Sequence, residues 1–308
     1  MNIFISGGAG FIGCHLTDAL LELGHNVVCA DNLALGSIDM VAQHLENKDF
    51  KFYEADVCDK LRLDKIFTDH KFDRVYHLAA NSDIQKGGKD PSIDIKDTLE
   101  TTLVLLQIMQ KHEVKEMLFS STSAVYGDKK GFLREDAGDL KPVSYYGGAK
   151  LASEAMISSF AAMNDMKVNI IRFPNVVGPR LTHGAVFDFV QKLKKNPNEL
   201  EILGDGKQEK PYIYVLDLIE AMLSRKYLEG VDIYNLGVET ATTVRRIADI
   251  VCEEMGLCDV KYCFTGGSTG WKGDVAKFQY DLSKIYETGW KAKHNSDEAI
   301  RMAAGHII

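Results

Sequence analysis

Tyr146 and Lys150, in the stretch "SYYGGAK", stand four residues apart, and in a helix that spacing puts two side chains on one face a turn apart. Of the two adjacent tyrosines only Tyr146 has this relation to the lysine. A phenol with an ordinary pKa of about 10 is a poor base near neutrality, so it needs nearby positive charge to favour the phenolate. Lys150 supplies such a charge, and the pair has the makings of a proton-transfer site. Y-x-x-x-K alone is a common spacing, and its meaning depends on what stands with it.

A second motif, "ISGGAGFIG", places Gly7, Gly10 and Gly13 at the turn from an apolar strand into an amphipathic helix. Glycine there permits a tight turn, lets the backbone approach a pyrophosphate and lets the helix pack closely on the strand, while free N–H groups at the helix start meet the negative charge. Phe11 and Ile12 open that helix and belong to the same cofactor-binding set. The next strand, "NVVCAD", ends on Asp31, followed by Asn32. A carboxylate at this point accepts hydrogen bonds from a ribose diol and repels a 2′-phosphate, so the expected cofactor is NAD rather than NADP. Asp56 and Val57 end another strand, where the aspartate can reach the adenine edge and the valine can pack on it; Asp56 can equally be the N-cap of the helix in "CDKLRLDKIF". In "HLAA", Leu78, Ala79 and Ala80 let strand backbone lie close to the cofactor, and His77 reads as structural rather than catalytic.

The elements that must hold these residues come in turn along the chain: the strand-like runs "NIFIS", "NVVCAD", "KFYEAD", "RVYHLAA", "EMLFSS" and "VNIIRF" alternate with helical patterns such as "FIGCHLTDALLELG". This alternation specifies an α/β fold, a Rossmann doubly wound parallel sheet covered on both faces. The NAD-binding domain is expected over residues 1–175 and a smaller C-terminal α/β lobe over 176–308, some elements of which can return to the first domain. Helices are expected at about Asp97–His112, Tyr145–Asn164, Phe187–Lys195 and Val215–Tyr227, with a strand at "LEIL". The first two are more apolar than one sheet face requires, and their extra faces either pair across a homodimer or are buried in the core.

Composition narrows the class. The 308 residues are 45% hydrophobic, enough to fill a substantial core. Six scattered cysteines without a C-x-x-C pair argue for reduced thiols in the cytoplasm and against a metal site. A net charge of -8, with "KLKK" as the longest basic stretch, argues against nucleic acid, and the opening "MNIFISGG" signals neither secretion nor membrane insertion.

"GGAGFIG", Asp31, "HLAA", "SSTSAVYG", "YYGGAK" and "RFPNVVGP", in this order and spacing over the whole chain, resemble the extended short-chain dehydrogenases/reductases, in the branch acting on nucleotide sugars. The resemblance implies that Tyr146 is the catalytic base, that Lys150 also holds the nicotinamide ribose, and that Thr122, 24 residues before Tyr146, hydrogen-bonds the sugar hydroxyl being oxidised. By the same resemblance Ser120 and Ser121 line the nicotinamide side, Pro174 joins the cofactor set, and Asn175 contacts the sugar diphosphate. Ser123, Arg180 and Lys210 complete the substrate-binding set, although Ser123 can also serve only to satisfy local backbone groups.

Sugar 4,6-dehydratases of the family carry an Asp-Glu pair directly after the threonine, where this chain has Ser123 and Ala124, and UDP-glucuronate decarboxylases carry a glutamate at the place of Ala124. Without those acids, the resemblance implies a nucleotide-sugar 4-epimerase of the UDP-glucose 4-epimerase type: transient oxidation at sugar C4, rotation of the keto sugar, and hydride return to the opposite face. Ser123, Ala124, Gly147 and Gly148 leave room for rotation, while Gly147-Gly148 reads equally as close packing at a helix start. A decarboxylase or 4-keto reductase on the same scaffold is the alternative. A non-catalytic NAD-binding sensor would need the glycine loop but not Thr122, Tyr146 and Lys150. The chain departs from UDP-sugar relatives at Lys210 and Pro211, where arginine and aspartate are typical, and at Trp271, where a second arginine is usual. Lysine is a point charge where arginine offers a planar fork to phosphate. Arg180, His183 and Lys272 are the residues available to compensate.

Overall fold

The computed structural model describes residues 1–267, 270 and 273–308. A seven-stranded sheet organises the first part of the chain: β1 (Asn2–Ser6), β2 (Asn26–Asp31), β3 (Phe50–Glu54), β4 (Arg74–His77), β5 (Glu116–Thr122), β6 (Lys167–Phe173) and β7 (Gly230–Asn235). Their spatial order is β7-β6-β5-β4-β1-β2-β3, and the pairs from β5 to β3 are parallel. Ile3, Phe4 and Ile5 of β1 are all fully buried, as expected of a parallel strand covered on both faces. On one side Phe4, Phe67 and Phe72 pack with ring centroids 4.8–5.2 Å apart. Truncating one such ring to alanine costs about 3–5 kcal/mol. Chain order reverses between β1 and β4, which leaves a crevice at their carboxyl ends where doubly wound sheets bind ligands.

Four helices cover this sheet: α1 (Phe11–Glu22), α2 (Lys60–His70), α3 (Thr101–Lys111) and α4 (Tyr145–Asn164). Asp59, not Asp56, caps α2, its side chain accepting the Arg62 N–H at 3.0 Å. Instead of one helix from Asp97, the chain makes a π-helical turn over Ile95–Glu100 before α3 begins. The hydroxyls of Thr101 and Thr102 donate to the carbonyls of Lys96 (3.0 Å) and Thr98 (2.7 Å), which stabilises the widened turn locally. Ser144 caps α4 by accepting the Gly147 N–H at 3.1 Å.

The chain divides into two compact units. The first holds Met1–Val125, Ser144–Arg172 and Met222–Tyr234; the second holds Tyr126–Val143, Phe173–Ala221 and Asn235–Ile308. The run Ser144–Arg172 of the first unit ends shortly before residue 175, Tyr126–Val143 falls in the second unit, and the segment Met222–Tyr234 supplies most of β7. The helix Val215–Leu223 ends before the expected Tyr227, and the chain proceeds to β7. Within the second unit, helices Ala185–Lys195, Val244–Glu254 and Ser296–Ile307 pack on one another through buried Val190, Leu193, Ile247, Val251, Ile300 and Ala303. Strand Asn175–Val177 pairs in parallel with Tyr212–Tyr214. No helix among the described residues is long and apolar enough to cross a membrane, and no cluster of three metal-ligating side chains occurs among them.

Candidate active site

The glycine turn between β1 and α1 is dictated by contacts. Gly7 has φ 77°, and a Cβ on it would stand 2.8 Å from the Ala79 nitrogen; one on Gly13 would stand 2.2 Å from the Gly7 carbonyl oxygen. These two glycines are needed by the protein itself. Gly10 is different: a Cβ there would meet only the Gly7 oxygen, at 3.4 Å, so the room at Gly10 faces outward. Gly10 is the N-cap of α1, and no side chain caps the first turn, where Phe11 and Ile12 stand. Asp31, at the end of β2, accepts N–H bonds from Ala9 (3.0 Å) and Leu33 (2.9 Å). Burial raises its pKa and those two bonds oppose the rise. Asn32 is exposed and its side chain accepts the Ala34 N–H at 3.1 Å. Asp56 accepts the Cys58 N–H at 2.9 Å and lies 3.7 Å from the Lys96 ammonium, with Val57 buried beside it.

From this turn a hydrogen-bonded chain leads to the reacting residues. Leu78 donates its N–H to the Ser6 carbonyl at 3.0 Å, and Leu78, Ala79 and Ala80 are each partly exposed. The Ser6 hydroxyl meets His77 Nδ1 at 2.6 Å, and Thr102 meets His77 Nε2 at 3.0 Å. Both ring nitrogens are thereby occupied, and burial together with the Lys150 charge pushes the imidazole down to about 3. The Ser120 hydroxyl donates to the His77 carbonyl at 3.1 Å, and the Ser120 carbonyl accepts from Lys150 Nζ at 2.7 Å.

At the end of β5, Thr122 faces Tyr146. Burial raises the Tyr146 phenol to about 12; the Thr122 hydroxyl hydrogen-bonded to it pulls the other way, and the charge of Asp94 adds to the rise. Lys150 is fully buried, and desolvation pushes its ammonium down to about 7 against the opposing charge of Glu154. Thr122 Oγ1 also accepts the Ala124 N–H at 3.2 Å, a local backbone role expected of Ser123. Ser121 departs from expectation: strand alternation turns its hydroxyl to Glu154, 2.5 Å away, rather than to the side of Ser120. The two glycines of the pair differ in their surroundings. A Cβ on Gly147 would strike the Ala124 carbonyl oxygen at 2.6 Å, whereas one on Gly148 would meet open space.

A sequence model of the NAD dependent epimerase/dehydratase family matches residues 3–237. The chain belongs to this family. It is 29% identical over 307 residues to a putative UDP-glucose 4-epimerase of Methanocaldococcus jannaschii, covering 97% of this chain and 96% of that protein. Among solved structures, a UDP-glucose 4-epimerase of Thermotoga maritima with UDP-glucose superposes with a TM-score of 0.90 at 32% identity, over 99% of this chain and 98% of that one. A Thermus thermophilus UDP-glucose 4-epimerase in complex with NAD does so with a TM-score of 0.88 at 31% identity, over 100% and 99%.

The residues present fit the family's dinucleotide. The uncapped first turn of α1 offers N–H groups to a pyrophosphate, the outward room at Gly10 admits it, and Asp31 keeps lone pairs for a ribose after its two backbone bonds. Other expected residues of this family member lie in the second unit. Pro174 is buried, Asn175 is exposed at the start of its strand, and Arg180 has a left-handed φ of 63°. Lys210 donates to Asp274, whose side chain is only 6% exposed, so its charge is already matched. His183 is exposed, its Nδ1 3.2 Å from the Thr182 hydroxyl. Trp271 and Lys272 lie outside the described residues. Glu154, Arg172 and Asp94 were not anticipated. Glu154 follows Lys150 by four residues, which was the available signal; Arg172 and Asp94 meet the site only through the fold.

Proposed function

We propose that this family member is an NAD-dependent nucleotide-sugar 4-epimerase. The observation that carries the reading is the meeting of the Thr122 hydroxyl with the Tyr146 phenol one turn from a buried Lys150, followed in the chain by Ser123 and Ala124 rather than acids. NAD, held by Gly7, Gly10, Phe11, Ile12, Gly13, Asp31 and the backbone of Leu78–Ala80, supplies an acceptor and then a donor of hydride at sugar C4. Tyr146, as phenolate, takes the proton of the C4 hydroxyl and later returns it. Thr122 hydrogen-bonds the same oxygen and fixes its direction. Lys150 contributes positive charge one turn away that favours the phenolate. The open side of Gly148 is where the sugar turns over between the two proton transfers. Pro174 completes the cofactor site, and Asn175, Arg180, Lys210 and Ser123 bind the substrate, which makes the second unit the nucleotide-sugar lobe.

Met163 on α4, 84% exposed, supports a homodimer formed through α3 and α4, whose Val104, Met156 and Phe160 pack against the protein's own core. The reduced cysteines, buried at 14, 29 and 252, agree with a cytoplasmic protein.

Purified protein incubated with UDP-, GDP-, CDP- and dTDP-sugars is expected to interconvert a C4 epimer pair without net change in NAD. Release of carbon dioxide, loss of water, or a requirement for stoichiometric reduced cofactor would overturn the assignment. A monomeric mass by light scattering would remove the dimer.

A further inference from the structure

Beneath the reacting pair, α4 sends Lys150 and Glu154 inward one turn apart, and both are tied to the end of β5. Lys150 Nζ bonds the Ser120 carbonyl at 2.7 Å, and the next residue, Ser121, donates its hydroxyl to Glu154 Oε1 at 2.5 Å. Arg172 on β6 closes the far side of the carboxylate, with Nε 3.0 Å from Oε1 and Nη2 2.6 Å from Oε2. Lys150, Glu154 and Arg172 are all at least 96% buried. The residue after Ser121 is Thr122, and one turn before Lys150 is Tyr146. Two adjacent ties thus fix β5 on α4 at the point where hydroxyl and phenol must meet.

The charges are as constrained as the positions. Two buried cations, Lys150 and Arg172, flank the one carboxylate of Glu154, and the charge of Asp94 also acts on the phenol. A buried Glu–Arg pair is often replaceable by apolar residues without loss of stability, so ion pairing with Arg172 alone does not account for a carboxylate here. Its third contact, to Ser121, and its place one turn from Lys150 do.

We propose that Glu154 is a positioning residue of the reaction: through Ser121 it fixes Thr122 opposite Tyr146, and through its charge it keeps Lys150 protonated. This rests on the proposed roles of Tyr146 and Lys150. The other titratable or charged groups around Lys150 are Tyr146 on its own helix, Arg172 on β6, His77 on β4, and Asp94 on the short helix Pro91–Asp94 that packs on α4. His77 is neutral at physiological pH. Glu154 is the carboxylate that stands one turn from Lys150 and opposes the effect of its burial.

The test compares the NAD-loaded wild type with Glu154→Gln, which keeps the Oε1 acceptor for Ser121 and Arg172 Nε, gives up the acceptor for Arg172 Nη2 and removes the charge. The alkaline limb of its kcat–pH profile is expected to move to lower pH by about one to three units, with KM unchanged. Glu154→Asp, which keeps the charge but draws it away from Ser121, is expected to leave that limb in place while kcat falls. The Lys150 Nζ resonance in 15N-lysine-labelled protein, followed by NMR across pH, reports the same ionisation without substrate. A shifted Lys150 titration in Glu154→Gln with no turnover of any sugar by the wild type would sink the epimerase reading and leave Glu154's effect on Lys150 standing. An unmoved limb and an unmoved Lys150 titration in folded Glu154→Gln overturn the proposal. Should that variant fail to fold, a displaced limb in Glu154→Asp overturns it.

Discussion

Gly7 lies with its backbone against Ala79, so close that a Cβ on Gly7 would stand 2.8 Å from the Ala79 nitrogen. The first turn of the cofactor site and the end of β4 are therefore one packed unit, and the motif's three glycines should fail in different ways. Gly13→Ala forces a side chain onto the Gly7 carbonyl oxygen at 2.2 Å and is expected to destabilise the protein by about 2–4 kcal/mol with or without NAD. Gly10→Ala meets no such obstacle and should leave the NAD-free protein within about 1 kcal/mol of wild type while weakening NAD binding at least tenfold. Denaturant titrations beside NAD-binding isotherms separate the two. Equal losses of both properties in the two variants would show that Gly10 is a folding requirement and not a ligand clearance.

Thr122 and Tyr146 act on one oxygen in the proposed reaction, and their variants should differ in kind. Tyr146→Phe keeps the ring and removes the group that moves the proton, so turnover should fall by about 10²–10⁴ with the fold intact. Thr122→Ser retains a hydroxyl and should keep most activity; Thr122→Val should lose about 10²-fold and raise the phenol further, because the bond that opposes its rise is gone. The phenol's ionisation in NAD-free protein, followed by ultraviolet absorbance, checks the second part. A Tyr146→Phe enzyme with wild-type turnover would remove Tyr146 as base.

His77 should make stability depend on acid. In the unfolded chain its imidazole protonates near the ordinary 6.5, while in the folded chain burial and Lys150 delay protonation to about 3. Between these values the unfolded chain holds the extra proton. Its contribution is thus complete above about pH 6.5 and declines as pH falls, by up to about 1.4 kcal/mol per unit. His77→Gln, less stable at neutral pH through altered bonds to Ser6 and Thr102, should show a flatter profile across this window. Wild-type and variant curves that stay parallel would show that His77 is not the group responsible.

The glycine turn, Asp31 and the Tyr146–Lys150 relation were legible because each rests on contacts within one or two neighbouring elements, where spacing determines geometry. So was α4, whose cap Ser144 and apolar run are local. The π-helical turn was not legible, since it depends on Thr101 and Thr102 reaching back to particular carbonyls inside a run that reads as uninterrupted helix. The direction of the Ser121 hydroxyl is not legible in the sequence because its partner, Glu154, lies 33 residues on. Asp56 and Asp59 both fit a cap, and only the turn itself chose between them. The pairing of Lys210 is not legible in the sequence because its counter-charge, Asp274, stands 64 residues away.

That pairing of Lys210 with Asp274 sets the last prediction. A lysine whose charge is matched by a carboxylate offers a diphosphate less than a free one does, so Asp274 should tune substrate affinity against stability. Asp274→Asn leaves the ammonium without its counter-charge and is expected to destabilise the protein by about 1–3 kcal/mol, less than breaking a fully buried pair because the Lys210 side chain remains 19% exposed. The same change should lower KM for a nucleotide sugar severalfold, since the freed charge turns to the phosphates. Lys210→Met should raise KM. Stability and affinity thus move in opposite directions in Asp274→Asn. If KM rises there as stability falls, Asp274 belongs to the substrate grip itself, and Lys210 is its support.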